Sequence, residues 1–551
     1  MFFLYCLSFI FLVPMTLVGF ELPTAPKTSQ YFSPGLVVEK AETGYGAARA
    51  EMRKGDVLLS WSRGGSLKGY FETPFDLFEL ELEEEPRGAI TIEGFRGQRR
   101  HQWVLKDESY WNIMARPNFS PDLLRTFREG QRLILEHKLA EAVECWKAAT
   151  VKATEPRLSW IEVWFPFYAA RSLAHLQQWH DSDVLYSQAI EKTAGVGSGI
   201  RVQVLLSWAK AYLIRGDWPN AEKVLEQADV ENKEQTSESL LHAQVLLDLG
   251  IVAKGRFDFK TASEYFEQAL ALQQRLIGSD NVTVARSLAS LGQLNSQHGD
   301  LIRAEQYDRR AVAILERIGS YDLNLSGALV DLGIIAWQRG DLVSAERYFR
   351  RSLAIHRSLH ASTSFRMAVV LMDVAIIRRE QRDLAGAEGY YRQALSIASR
   401  LNSEDPLVGR ALAGLRNSLG VLAYRRGELV KAETYLRRSL EMINKLPPEP
   451  FKLAETLMDL GDILCDRGHL DGAEESYRQA LAIREKQSPG SAYHAETLAA
   501  LAGVMRLRRQ PDEAAKLYGQ ALNVSTGIKS VTAASPLRLV KDVRRMLLPL
   551  R

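Results

Sequence analysis

The sequence predicts a mainly α protein, an α-solenoid of helix–turn–helix repeats behind a small N-terminal α+β domain. Three observations predict it. One phrase recurs at steady spacing through the second half of the chain, its punctuation falls where a helical hairpin must turn, and the first hundred residues instead show short β-rich runs. At 551 residues the chain also exceeds what one hydrophobic core can organise.

The recurring phrase is an apolar residue, a small residue, a turn seven positions later, and an alanine five further on. Its small residues are Gly250, Gly292, Gly333, Ala375, Gly420, Gly461 and Ala502, separated by 42, 41, 42, 45, 41 and 41 positions. The alanines Ala262, Ala304, Ala345, Ala387, Ala432, Ala473 and Ala514 keep the same steps. An eighth copy is marked by Ala209, Gly216-Asp217 and Ala221, and weaker ones centre on Ala142 and on Val184–Tyr186. Each unit reads as two helices, A and B. Gly-Asp pairs such as Gly299-Asp300 and Gly340-Asp341 end helix A, because glycine tolerates the left-handed cap conformation. The small residues mark where neighbouring helices approach closely. Tyr265, Tyr307, Tyr348, Tyr390 and Tyr435, with Leu270, Val312, Leu353, Leu395, Leu440 and Leu481, are expected to supply the inter-repeat core. One hairpin cannot bury such a face alone, so the units must stack.

These residues resemble the tetratricopeptide repeat family, whose repeats carry the same small residues in helices A and B. The period exceeds the usual ~34, as in the kinesin-light-chain type with longer helices and loops. HEAT and armadillo repeats are the structural alternative, disfavoured by the recurring Leu-Gly, Gly-Asp and Ala-Glu-x-Tyr register. The resemblance covers residues 120–525, divergent over 120–230 and regular over 240–525, and residues 531–551 read as an amphipathic capping helix.

Before the repeats, Gly35–Val38 reads as a strand after a Pro-Gly turn, Ala47–Met52 as a short helix, and Lys54–Leu59 as turn then strand. Phe75–Glu83 reads as a helix, and Ala89–Glu93 with Arg99–Leu105 as a closing pair. This order, over residues 32–106, resembles a bacterial PDZ domain. The resemblance implies peptide binding at the loop and strand of Gly35, Leu36, Val37 and Val38, the peptide adding as a strand. The alternative is that Leu36 and Val38 simply alternate with core and the groove is unused. The acidic run Glu79, Glu81, Glu83, Glu84 and Glu85 lies beside that groove and would repel a carboxylate.

Charge is nearly balanced, 70 basic against 67 acidic residues with net +3, which gives no basic excess for nucleic acid. The arginine pairs Arg309-Arg310, Arg350-Arg351 and Arg437-Arg438 look like a phosphate ladder. Each follows a glutamate by four residues (Glu305, Glu346, Glu433), so they read as surface ion pairs. Cys6, Cys145 and Cys465 are scattered and form no disulfide framework or zinc motif. Cys465 and His469 sit four apart, but His469 occupies a turn slot, and no Walker loop, nucleophile elbow or HExxH is present. No catalytic residue, metal or cofactor is therefore expected. Residues 1–22 read as a signal peptide or membrane anchor, with membrane association running through residues 1–20. The alternative is a start near Tyr31 and a cytoplasmic protein.

Function is expected on the helix-A surface, where the family usually holds its ligand. Two positions before the small residue the chain places Asp248, Asp331, Asp373 and Asp459, an intermittent acidic ladder suited to a basic or mixed apolar peptide. Alternatively each aspartate caps or bridges neighbouring helices. Gly250, Gly292, Gly333, Gly420 and Gly461, with Ala262, Ala304, Ala345, Ala387, Ala432 and Ala473, are expected to serve repeat packing. The sequence thus predicts a bacterial scaffold or adaptor for protein or peptide partners. The rival expectation is the regulatory, substrate-recognising part of a CHAT (caspase-like) protease system, which PDZ-like fronts joined to such repeats resemble.

Overall fold

A computed structural model describes residues 32–41, 46–105, 111, 113–152, 159–196, 198–235, 238–359, 365–401, 406–446, 450–487 and 489–527. The leader expected over 1–22 and the capping helix expected over 531–551 lie outside the described residues. Among the described residues, no helix is long and apolar enough to cross a membrane.

The N-terminal domain is a six-stranded antiparallel sheet: β1 (Phe32–Ala41), β2 (Val57–Arg63), β3 (Ser66–Tyr70), β4 (Ile90–Arg96), β5 (Arg99–Leu105) and β6 (Ile113–Phe119), in the order β5-β4-β2-β1-β6 with β3 against β2. The sheet runs on past residue 106, because β6 returns to pair with β1 through Val37↔Arg116 and Val38↔Ala115. Short helix α1 spans Gly46–Arg49, and α2 spans Pro74–Glu79. Leu36, Val38, Leu58, Phe71, Ile90, Ile92, Trp103 and Trp111 form the domain's core. Gly35, at φ +90°, is required where it stands: a Cβ there would lie 2.2 Å from the Leu58 carbonyl oxygen.

Among the described residues the remainder holds twenty α-helices paired as ten A/B hairpins, divided between two compact units. Unit 1, which includes the sheet, holds α3 (Pro121–Leu135) with α4 (Leu139–Lys152), α5 (Trp160–His175) with α6 (Trp179–Lys192), and α7 (Ser198–Arg215) with α8 (Trp218–Gln235). It continues with α9 (Leu240–Gly255) and α10 (Phe259–Ile277), α11 (Val282–His298) and α12 (Leu301–Arg317), and α13 (Leu323–Gln338) and α14 (Leu342–Ser358). Unit 2 holds α15 (Phe365–Glu380) with α16 (Leu384–Ala398), α17 (Pro406–Arg425) with α18 (Leu429–Ile443), α19 (Pro450–Asp466) with α20 (Leu470–Gln487), and α21 (Ala492–Leu507) with α22 (Pro511–Gly527).

Local chemistry explains the hairpins. Gly299, Gly340, Gly427 and Gly468 take positive φ at the turn. Phe257 and Arg382 take positive φ at the equivalent turns, and after Phe257, Gly299, Gly340 and Arg382 the next residue caps helix B: Asp258, Asp300, Asp341 and Asp383 each accept a hydrogen bond from the amide three residues on, at 2.8–3.1 Å. The helix-A glycine is small because a helix-B side chain stacks on it. A Cβ on Gly250, Gly333 or Gly461 would lie 2.4–2.6 Å from the ring of Phe266, Phe349 or Tyr477. The helix-B alanines from Ala262 to Ala473 are fully buried. The side chain that stacks on helix A is one residue later than the tyrosines singled out from sequence: Phe266, Phe349, Tyr391 and Tyr477 are buried, whereas Tyr265, Tyr307, Tyr348, Tyr390 and Tyr435 are half-buried, the first three of these packing against the core from its edge. The reason is helical phase: with alanines at i and i+7 facing helix A, position i+4 lies between them and i+3 lies to one side.

The arginines form the expected pairs within helix B, as in Glu346–Arg350 at 2.9 Å and Glu433–Arg437 at 2.8 Å. Several of these glutamates also hold an arginine at the end of the next A helix: Arg339 on Glu305, Arg426 on Glu388, Arg467 on Glu433 and Arg508 on Glu474. The ladder is therefore an inter-repeat clamp as well as a surface pair.

Candidate protein-interaction surfaces

Unit 1 and unit 2 present different A-helix surfaces. In unit 1 the surface meets the end of α2. Thr73 begins that helix with a capping box: its Oγ1 accepts from the Phe75 amide at 3.2 Å, while Asp76 accepts from the Thr73 amide at 2.6 Å. The helix continues as one wide turn, Leu80–Glu84, and one tight turn, Glu85–Arg87. Glu81, Glu83 and Glu85 are 4%, 3% and 7% exposed. Carboxylates are almost never buried so deeply without partners, and the fold supplies them. The Trp111 amide donates to Glu81 at 2.9 Å, and the Leu241 amide donates to Glu83 at 2.9 Å. Leu241 lies in the first turn of α9, where unsatisfied N–H groups and the helix dipole favour an anion. Asn281, the N-cap of α11, donates to the Pro86 carbonyl at 2.7 Å.

Cations from successive A helices surround this segment. Burial pushes the Arg171, Lys210 and Arg286 pKa values down, Arg286 to about 10, while the charge of Glu81 opposes the shift in all three and that of Glu85 does so in Arg286. Arg171 also packs over the rings of Phe78 and Phe167 at 5.3 and 5.6 Å. Phe75, Leu82 and Phe119 from the sheet domain share one core with Phe127, Trp146, Trp164 and Phe167 from the first repeats.

Gly35, Leu36, Val37 and Val38 lie within β1, where Leu36 and Val38 are fully buried. Leu36 and Val37 pair with β2 on one side and with β6 on the other. The strand position beside β1 is thus filled by the chain's own β6.

The slot aspartates lie at the A-helix floor. Asp248, Asp331 and Asp373 are 3%, 7% and 4% exposed. Asp248 accepts from Gln244 one turn earlier at 2.9 Å, Asp331 accepts from Gln293 of the preceding A helix at 3.1 Å, and Asp459 accepts from Asn417 of the preceding A helix at 3.1 Å. Burial pushes Asp248 up to about 6 and Asp331 to about 7, and raises Asp373 well above the usual carboxylate range. Asp459 is pushed to about 7 by burial and then by Glu455 and Asp462. The floor is therefore less anionic at neutral pH than four free aspartates would be.

In unit 2, half-buried Asp459 is joined by exposed carboxylates on the same helix. Glu455, Asp459, Asp462 and Asp466 form one stripe along α19 at spacings of four, three and four, and Glu496 follows on α21. Phe451 and Tyr493, in the first turns of those two A helices, are 59% and 63% exposed. Neighbouring acids raise Asp462 further after burial, through Glu496 and Asp466. Cys465 on the same helix is pushed up by burial and by Asp466 and Asp462, which keeps it a thiol rather than a nucleophilic thiolate. Among the described residues, no group of three or more His, Cys, Asp or Glu side chains is placed to hold a metal.

Sequence reasoning missed Asp308. It occupies the ring position of helix B against Gly292, is fully buried, and has no hydrogen-bond partner on either carboxylate oxygen. Its signal was the break in the series Phe266, Asp308, Phe349.

The tetratricopeptide repeat family model matches residues 233–317, 324–400, 410–486 and 452–526, half of the chain. No curated protein matches the chain. Among solved structures, BtubC (BKLC) from P. vanneervenii is 25% identical over 42% of this chain and 91% of that one, with TM-score 0.37. The signal-transduction ATPase PH0952 with a tetratricopeptide repeat sensor, from Pyrococcus horikoshii, is 13% identical over 69% of this chain and 55% of that one, with TM-score 0.47. The apo quorum sensor NprR from B. thuringiensis is 11% identical over 65% of this chain and 97% of that one, with TM-score 0.43.

Proposed function

Because the chain belongs to the tetratricopeptide repeat family, we propose that it is an adaptor whose A-helix surface in unit 2 holds a basic, partly apolar peptide of a protein partner. The observation that carries this reading is the α19 stripe of Glu455, Asp459, Asp462 and Asp466, flanked by the exposed rings of Phe451 and Tyr493. Exposed aromatic side chains supply contact area at small entropic cost, and the carboxylates select positive charge. Of the slot aspartates, Asp459 stands among these groups and is assigned to ligand contact. Asp248, Asp331 and Asp373 are assigned to holding the A-helix floor. A peptide at Gly35–Val38 enters this reading only by displacing β6.

An array of short peptides graded by net charge, probed with the full chain, tests it. Basic-apolar peptides should give the signal, and the Glu455→Lys/Glu496→Lys variant should lose it while keeping its helicity by circular dichroism. Equal signal across all charges, or binding unchanged by the double reversal, would overturn the reading.

A further inference from the structure

We propose that the hollow between α2, β6 and α5 binds an organic acid, Arg171 taking the carboxylate and the rings of Phe78, Trp164 and Phe167 taking an apolar body. The hollow is lined from three elements of unit 1: Leu77 and Phe78 of α2, Met114 of β6, and Trp164, Phe167 and Arg171 of α5. It holds about 550 Å³, counting the solvent at its mouth. Phe78 and Phe167 meet edge to face with ring centroids 5.9 Å apart, and the Arg171 guanidinium packs over both, at 5.3 and 5.6 Å.

The cation is what calls for a ligand. Among the described residues Arg171 makes no ion pair, and its Nε, shut off from solvent, has no hydrogen-bond partner. Buried charges are otherwise paired. The acids whose charge is felt here are held by other groups: Glu81 accepts from the Trp111 amide at 2.9 Å, and Glu39 pairs with Arg116 at 2.6 Å. Nor does the repeat ask for an arginine. Arg171 follows Ala170, the small residue of its A helix, seven positions before the positive-φ turn residue Gln177. In later repeats the same position holds Ile251, Ile334, Ile376 and Val421. A guanidinium laid on ring faces keeps its planar N–H fork for a carboxylate. One cation also matches the single charge of a carboxylate better than the roughly −1.5 to −2 of a phosphate monoester.

The site lies in unit 1 and stands apart from the unit 2 reading, because reversals at Glu455 and Glu496 leave it untouched. The acid can come free or as the last residue of a peptide, and two probe pairs separate these sources. One pair is phenylacetate and phenylacetamide; the other is an N-acetylated tripeptide ending in phenylalanine, with its C-terminus free or amidated. In titration calorimetry on the full chain, the charged member of at least one pair should bind about tenfold or more tightly than its neutral mate, as hydrogen bonds to a charged group predict. The pair that shows this names the source. Arg171→Gln should remove the preference. Should that variant lose its melting transition, hydrogen exchange on the unaltered chain decides: the charged probe must slow exchange within Trp160–His175, and its neutral mate must not. Equal binding within both pairs, binding of no probe, exchange unchanged within Trp160–His175, or a preference that survives Arg171→Gln would overturn the proposal.

Discussion

The A-helix surfaces of unit 1 and unit 2 are built from the same repeat and differ in charge and in cover. In unit 1, Lys210 is buried and Arg171 and Arg286 are half-buried, and all three feel the charge of carboxylates that come from outside the repeats. In unit 2, Glu455, Asp462 and Glu496 stand exposed on A helices that also expose the rings of Phe451 and Tyr493, the latter with Arg484 over one face at 5.3 Å. Both units keep the glycine–ring contact and the helix-B caps. The difference teaches that the repeat code specifies stacking, while the residues between the packing positions are free to set what each surface accepts.

The largest expected effect separates a covered charge from an exposed one. Glu83→Lys puts a cation where the Leu241 amide donates and beside Arg87, which pairs with Glu83 at 3.1 Å. Breaking such a buried arrangement should cost about 3–5 kcal/mol. Glu455→Lys changes an exposed residue and should stay within about 0.5 kcal/mol. Chemical denaturation of the two variants measures both. Comparable losses would erase the distinction between the two surfaces.

Next comes pH. Asp331 in unit 1 and Asp459 in unit 2 are both held near 7, well above an unfolded aspartate at about 3.9. The folded chain then binds more protons than the unfolded chain between about pH 4 and 7, so these two groups lower stability as pH rises through that window. The carboxylates held low by surface ion pairs, such as Glu305 and Asp229, act in the opposite direction, and mostly below that window. Thermal melts should therefore show higher stability at mildly acidic pH than at pH 8, by a few kcal/mol at most. Asp331→Asn keeps an acceptor for Gln293 and should flatten the profile. An unchanged slope would show that Asp331 is not among the groups that titrate.

Asp308 gives a gain rather than a loss. Its carboxyl is raised well above the usual range by burial and by Asp331, and it packs where other repeats have Phe266, Phe349 or Leu436. Asp308→Leu copies the Leu436–Gly420 contact the chain already uses. Removing a buried carboxyl without hydrogen bonds should add about 1–3 kcal/mol. A loss on substitution would assign Asp308 a role that packing does not explain.

Much of this fold was legible because repeats restate their own constraints. Gly250, Gly292, Gly333, Gly420 and Gly461 recur in register, and each had to sit under a neighbour. The phase of the ring was less legible, since Tyr265 and Phe266 are adjacent and both aromatic; helical geometry, not composition, puts Phe266 inside. The seat of Leu80–Arg87 was not legible at all. Glu83 and Leu241 are separated by 158 positions, and no local pattern says that an acidic run beside one groove will lie in another. Nor does spacing reveal burial, which is why a ladder of aspartates reads as charged when desolvation pushes Asp331 and Asp459 to about 7.

The smallest effect concerns the inter-repeat clamps, which the two units share. Arg339→Ala in unit 1 removes the bridge to Glu305, and Arg467→Ala in unit 2 removes the bridge to Glu433. In both cases the glutamate keeps its partner within helix B, Arg309 or Arg437. Partly exposed pairs of this kind contribute about 0–1 kcal/mol and are screened by salt. The two substitutions should therefore lower stability by less than about 1 kcal/mol each, equally, and less at high ionic strength. An unequal pair of losses would mean that one unit depends on its clamps where the other relies on its core. The salt dependence of denaturation for the two variants decides between these outcomes.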